Sequence, residues 1–325
     1  MCASKAPKIL VTGAAGQIGS ELTMALRERY GSGNVVATGH RTPPSAALRD
    51  SGPFEVIDVT RRETVDPIVD KYQVDTIYHL AAILSATGEK NPQLAWDVNI
   101  NGLYNILELA RERKMTRVFC PSSIAAFGPE TPRENTPQET VLRPKTMYGL
   151  TKVAGELLCD YYFQRFGLDV RGVRYPGIIS NVTPPGGGTT DYAVEIFYEA
   201  IKHKKYTCFL RPDSTLPMMY MPDCLNATIM LMEADLSKLK HHCDFNLAAF
   251  SFNPAQLVAA IQRHMPGFTC DYKPDFRQQI ADSWPMSIDD SAARAEWNWK
   301  PQYDLDGMVK DMLEKLGRRH AQGSL

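Results

Sequence analysis

The segment Thr12-Gly13-Ala14-Ala15-Gly16-Gln17-Ile18-Gly19 most narrows what this chain can fold into. It follows a short apolar run, Lys8-Ile9-Leu10-Val11-Thr12, and leads into Gln17 to Arg29, where Ile18, Leu22, Ala25 and Leu26 recur at helical spacing. Glycine at 13 permits a tight turn. Glycine at 16 lets the backbone approach a pyrophosphate, and glycine at 19 lets helix and strand pack closely. The helix start, around Gln17 and Ile18, then offers free N–H groups and a partial positive charge to phosphate. The segment therefore predicts a dinucleotide-binding unit, with a plain tight turn as the alternative.

The first half continues in the same rhythm. Strands are expected at Asn34–Thr38, Phe54–Asp58, Thr76–Ala81, Arg117–Cys120 and Val170–Arg174. Helices are expected from a Thr60 cap to about Lys71, over Pro92–Arg113 as one long rod, and over Met147–Phe166. Alternation of this kind predicts an α/β fold, a doubly wound parallel sheet of the Rossmann type, with ligands beyond the carboxyl ends of its strands. After about Tyr175 the pattern turns irregular, with Pro184-Pro185-Gly186-Gly187-Gly188 and shorter helices near Asp191–Lys202, Pro222–Glu233, Pro254–His264 and Leu305–Leu316. The expected division is a dinucleotide-binding domain over 1–176 and a smaller mixed substrate lobe over 177–325, interleaved with the first.

Composition excludes several classes. The formal net charge of −1 gives no pull toward nucleic acid or an anionic membrane. No apolar run approaches the ~18 residues of a membrane-spanning helix. The seven cysteines are scattered, form no Cys-x-x-Cys and have no histidine at zinc-binding spacing, so no metal site is expected and free thiols in a reducing compartment are. The opening Met1 to Pro7 is too short for a secretory leader.

The chemistry concentrates in Tyr148-Gly149-Leu150-Thr151-Lys152. On a helix these two side chains share a face, one turn apart. A phenol titrates near ~10 and is a poor base at neutral pH. A neighbouring cation favours its ionised form, which can take the proton of an alcohol while hydride leaves the carbon. Pro121-Ser122-Ser123 closes the fifth strand, where ligands are expected, so Ser123 can donate to the same oxygen and Ser122 can bind substrate.

Together the glycine turn, the serine and the Tyr-x-x-x-Lys pair resemble the extended short-chain dehydrogenase/reductase family. The resemblance implies Ser123, Tyr148 and Lys152 as catalytic residues and a nicotinamide cofactor. It places the cofactor against Gly13, Gly16, Gln17, Ile18, Gly19, Asp58, Val59, Leu80, Ala81, Ala82, Asn99, Tyr148, Lys152, Tyr175 and Pro176. After the second strand, Thr38-Gly39-His40-Arg41 lacks the acid that usually holds the adenosine ribose. NAD is the expected cofactor; Arg41 either meets a 2′-phosphate, which would favour NADP, or stacks on adenine.

Gly186-Gly187-Gly188-Thr189-Thr190-Asp191-Tyr192-Ala193, Arg174 to Ser180, and Asp282-Ser283-Trp284-Pro285 narrow the resemblance to the short-chain-type L-threonine 3-dehydrogenases. This implies oxidation of L-threonine at C3 to 2-amino-3-oxobutanoate. Ser85, Ser122, Ser123, Tyr148, Gly177, Gly188, Thr189, Thr190 and Trp284 would hold the substrate, with Thr189 and Thr190 opening a helix toward its carboxylate. The resemblance also implies a homodimer and a downstream 2-amino-3-oxobutanoate CoA ligase. It places the enzyme in the mitochondrial matrix of eukaryotes or the cytoplasm of bacteria. Two other readings stay open. One is a nucleotide-sugar 4-epimerase or dehydratase using the same three residues, with Arg211, Arg277 and Arg294 as candidate diphosphate ligands. The other is a non-catalytic protein that senses nicotinamide nucleotides.

Overall fold

Six parallel strands form the main sheet of the computed structural model, which describes residues 6–184, 186 and 188–325. Their spatial order is Phe54–Val56, Val35–Gly39, Ile9–Thr12, Thr76–His79, Arg117–Phe119 and Val170–Arg171. The chain winds outward from Ile9–Thr12 in both directions, so a crevice opens beyond the carboxyl end of that strand. Residues of Ile9–Thr12 are buried along their whole length, as strands covered by helices on both faces must be. The first residues, Met1–Lys5, lie outside the described residues, as do Pro185 and Gly187 of the proline- and glycine-rich stretch.

Further strands carry the sheet's carboxyl edge onward. Phe245–Asn246, Val173–Tyr175 and Ser122–Ser123 form one parallel set; in another, Leu216–Tyr220 runs parallel to Gly177–Ile179 and antiparallel to Phe250–Phe252. Lys205–Cys208 pairs with Thr269–Tyr272. Late residues fill early space: Cys224, Leu231, Trp297 and Trp299 pack in one core with Ile9, Val11 and Leu26. Another core joins Ile124 and Phe127 to Tyr192, Phe197, Met308 and Leu316.

Four local expectations are corrected. The single strand Val170–Arg174 is divided at Gly172 into Val170–Arg171 and Val173–Tyr175; a Cβ at 172 would lie 2.2 Å from the carbonyl oxygen of Cys120 and 2.7 Å from that of Cys243, so that close approach requires glycine. The Pro92–Arg113 rod is interrupted: helices Pro92–Trp96 and Gly102–Glu112 flank a π turn, Asp97–Asn101. Thr60 does not cap the next helix, which spans Arg62–Tyr72. Its hydroxyl donates instead to Asp58 Oδ1 at 2.8 Å. Thr189 and Thr190 do not open a helix either. The helix is Tyr192–His203, with Asp191 at its N-cap, and the Asp191 carboxylate folds the preceding turn by accepting from Gly188 N at 2.7 Å.

One buried ion pair ties these layers together. Glu156, on the helix Met147–Phe166, accepts two hydrogen bonds from Arg174 at 2.9 and 2.8 Å. Arg174 also reaches the carbonyl of Gln138 and the amide of Asn246, and lies over the Phe127 ring. With its donors shared among so many acceptors, the guanidinium is tolerable in the interior. Among the described residues no helix is long and apolar enough to cross a membrane, no group of side chains suits a metal ion, and Cys120, Cys159, Cys208, Cys224, Cys243 and Cys270 are free thiols. Cys2 lies outside the described residues.

Candidate active site

The glycine turn is built from contacts no side chain would permit. Gly13 adopts φ +68°, and a Cβ there would stand 2.7 Å from Ala81 N and Leu80 C. A Cβ on Gly19 would stand 2.2 Å from the Gly13 carbonyl oxygen. The helix Gln17–Tyr30 starts at Gly16 with no side chain capping it, so its first N–H groups face the crevice unsatisfied. Gln17 Nε2 is buried there without a partner.

Two hollows meet at this turn and share Gly13, Gly16, Leu80 and Ala82. One, about 530 Å³, is lined also by Ala81, Asp58, Val59, Gly39, His40 and Arg41. The other, about 240 Å³, is lined by Gln17, Ile18, Gly19, Ser85, Ser122, Ser123, Tyr148, Lys152, Tyr175, Pro176, Gly177, Gly188, Thr189, Thr190 and Trp284. A cleft of two lobes with bare helix N–H groups at its waist fits a dinucleotide whose pyrophosphate sits on the turn. The unpartnered Gln17 amide adds a donor at the same place.

Ser123, Tyr148 and Lys152 come together in the smaller lobe. Thr146 caps the Tyr148 helix, its hydroxyl oxygen accepting from Gly149 N at 3.1 Å. Gly149 is required because a Cβ there would meet the Ala125 carbonyl oxygen at 2.2 Å, so the helix start lies flush against the loop that follows Ser123. Lys152 Nζ lies 5.4 Å from the centre of the Tyr148 ring and donates to the Pro121 carbonyl at 2.8 Å. That bond joins the helix to the serine-bearing strand end. Ser123 Oγ accepts from Ala125 N at 3.2 Å, which leaves its proton available to a ligand oxygen. The Ser122 hydroxyl is buried beside the Glu156 carboxyl.

The remaining candidates sort by what their polar atoms already do. Thr189 is 1% exposed and its hydroxyl has no partner, so the cleft holds a buried donor awaiting an acceptor. Gly177 lets Thr190 approach, since a Cβ at 177 would stand 2.7 Å from Thr190 Cγ2. The Tyr175 hydroxyl is paired with Thr228, and burial pushes it well above the ordinary phenol range; only its surroundings, not its proton, face the cleft. Trp284 is buried against the second core and still lines the cleft.

Asn99 is the candidate that does not line either lobe. It sits in the π turn. Its oxygen accepts from Ile83 N at 2.8 Å, and its amide donates to Ile83 O at 3.1 Å and Thr151 Oγ1 at 3.0 Å. It braces the segment after the fourth strand against the helix that carries Tyr148 and Lys152.

Two residues escaped sequence reasoning. Asp191 is the one carboxylate among the residues lining the smaller lobe. Its signal was a carboxylate directly before a helix, where it reads as a cap. His79 ends the fourth strand, fully buried, with Nδ1 2.9 Å from Thr12 Oγ1, and burial followed by the charge of Lys152 pushes it down to about 3.

Doubly wound sheet, glycine turn and Ser, Tyr and Lys at one strand edge together define a dinucleotide-binding enzyme of the extended short-chain type. The chain belongs to the NAD dependent epimerase/dehydratase family, whose model matches residues 9–248. It is 54% identical over 310 residues to an "uncharacterized epimerase/dehydratase" of Staphylococcus haemolyticus, covering 95% of this chain and 97% of that one. Among solved structures it is similar to the L-threonine dehydrogenase of Clostridium difficile, with 54% identity, a TM-score of 0.94, and coverage of 96% and 98% of the two chains. It is also similar to a monomeric L-threonine 3-dehydrogenase from a metagenome, with 49% identity, a TM-score of 0.92, and coverage of 95% and 99%.

The buried neutral His79 sets a pH dependence of stability. Unfolding frees the imidazole to its ordinary value near 6.5, so between there and about pH 3 the unfolded chain binds the extra proton. Its contribution is full above pH 6.5 and is lost as pH falls, at up to ~1.4 kcal/mol per pH unit. Urea unfolding from pH 7 to 4.5 will show a steeper fall for wild type than for His79→Gln; equal slopes would remove His79 as the cause.

Proposed function

We propose that this protein oxidises L-threonine at C3 to 2-amino-3-oxobutanoate. A nicotinamide dinucleotide, NAD in the resemblance, supplies the hydride acceptor when bound. The observation that carries this reading is the small, hydroxyl-lined substrate lobe with Lys152 as its one cation and Asp191 as its one carboxylate. The unpartnered Thr189 hydroxyl, with Thr190 and Ser85 beside it, suits a carboxylate, and Asp191 suits an ammonium. Trp284 limits the room for the side chain.

Within that lobe Ser123 donates its hydroxyl proton to the substrate 3-oxygen. Tyr148 accepts the proton of the 3-hydroxyl as the carbonyl forms. Tyr148 takes that proton as the phenolate and ends as the neutral phenol, and the Lys152 ammonium, steadied by Pro121 O, stands beside the ring as the positive partner of the starting phenolate. The product is a β-keto acid prone to lose carbon dioxide, so a 2-amino-3-oxobutanoate CoA ligase belongs to the same proposal as the enzyme that consumes it.

The nucleotide-sugar reading is less well supported. Arg211 is paired with Asp282 and Asp213, Arg277 with Asp275 and the Phe209 ring, and Arg294 with Asp290; none lines either lobe of the cleft. A sugar diphosphate would need such cations.

Reduced-nicotinamide absorbance, followed with L-threonine and each of NAD and NADP, tests the reading. Wild type is expected to turn over with at least one, and Tyr148→Phe to lose ~10²–10⁴-fold in kcat while still binding cofactor. Silence of wild type with both cofactors, alongside turnover of a nucleotide sugar, would overturn it.

A homodimer forms a second part of the proposal. Leu150, Leu157 and Tyr161 are exposed on one stripe of the Met147–Phe166 helix, with Trp96 and Tyr104 exposed on the two helices that flank the π turn. Light scattering after size exclusion is expected to give a dimer mass, and a monomer for Leu157→Glu. A monomeric wild type, as the metagenome relative is described, would reject it.

A further inference from the structure

The larger lobe of the cleft has an unusual charge balance where the strand Val35–Gly39 ends. In a sheet wound this way, the residue ending that strand meets the adenosine ribose, and a carboxylate there accepts both hydroxyls of an unphosphorylated ribose. Gly39 offers none. A Cβ at 39 would lie 3.0 Å from Cζ of Phe54 and 3.4 Å from the Thr42 carbonyl oxygen, so a side chain there asks the Phe54 ring to shift slightly.

His40 and Arg41 line the lobe directly after it. Arg41 is exposed and, among the described residues, makes no hydrogen bond or ion pair. The two carboxylates lining this lobe are already engaged. Asp58 Oδ1 accepts from Thr60 N at 3.0 Å and Thr60 Oγ1 at 2.8 Å, while its Oδ2 lies 3.7 Å from His40 Nε2. Asp97 accepts from Asn101 at 2.7 Å. The ribose end thus presents an uncommitted guanidinium and an imidazole, with no free acid.

We propose that this end of the cleft seats a phosphomonoester, the 2′-phosphate of NADP, with Arg41 as its principal ligand and His40 beside it. A guanidinium fork matches two phosphate oxygens, and the bond is charge-assisted on both sides. The missing acid removes the repulsion that ordinarily turns the phosphate away. This inference rests on the reading of the cleft as a nicotinamide-dinucleotide site and is independent of the threonine assignment.

Calorimetric titration of the full chain tests it without turnover. The probes are NADP, NAD, 2′,5′-ADP and 5′-ADP, at low and raised potassium chloride. Wild type is expected to bind each 2′-phosphorylated probe roughly ten- to a hundredfold tighter than its partner, with the ratio shrinking in salt. Arg41→Ala is expected to bring that ratio near one, chiefly by weakening the phosphorylated probes, and Arg41→Lys to keep part of it. Gly39→Asp is expected to turn the preference toward NAD. Equal or tighter binding of NAD by wild type would overturn the proposal. So would an Arg41→Ala variant that weakens both members of each pair alike, the signature of adenine stacking. If none of the four probes binds, the dinucleotide reading itself falls, and this proposal with it.

Discussion

Backbone meets backbone at Gly13, where the first turn presses on the segment leaving the fourth strand more closely than any Cβ allows. Much of the site follows from that contact. It brings Leu80, Ala81 and Ala82 to the waist of the cleft, opposite the bare start of the Gln17 helix. The same strand delivers His79, whose neutral ring takes up the Thr12 hydroxyl and closes the floor. Asn99 then clamps the next residues of that segment to Thr151, and so to the helix that carries Tyr148 and Lys152. A bulkier residue at 13 would push the glycine turn away from the helix that carries Tyr148 and Lys152.

Electrostatics divide the two ends of the cleft. The smaller lobe has one lysine and one carboxylate among many hydroxyls, a balance suited to a small zwitterion. The larger lobe has an uncommitted arginine and two carboxylates already holding hydroxyls or amides. The late arginines a diphosphate sugar would want are spent on surface ion pairs, which contribute little to stability and are not aimed at the cleft. Family membership admits several chemistries on this fold, and the difference lies in these side chains.

What was legible in the sequence is what depends on near neighbours. The turn from Gly13 to Gly19, the Tyr148–Lys152 pair and the helix Met147–Phe166 each follow from local spacing and a cap. The π turn at Asn99 was not legible, because it depends on a side chain capturing the backbone of Ile83. The need for glycine at 172 was not legible either, because it comes from the carbonyls of Cys120 and Cys243, in distant parts of the chain. Thr60 read as a cap because its competitor for the hydroxyl, Asp58, precedes the helix in sequence and folds back on it. Asp191 was hidden by its position before a helix, where a carboxylate reads as a cap; its side chain instead accepts from Gly188 N, and it borders the smaller lobe of the cleft.

The central claim is that hydride leaves C3 of L-threonine while Tyr148 takes the hydroxyl proton. The most direct measurement uses L-threonine deuterated at C3 and examines the reduced cofactor by mass spectrometry. The account predicts one deuterium carried on the nicotinamide ring for each molecule of 2-amino-3-oxobutanoate formed, seen as its decarboxylation product. Reduced cofactor without deuterium, or label returned to the substrate carbon with no net oxidation, would contradict it.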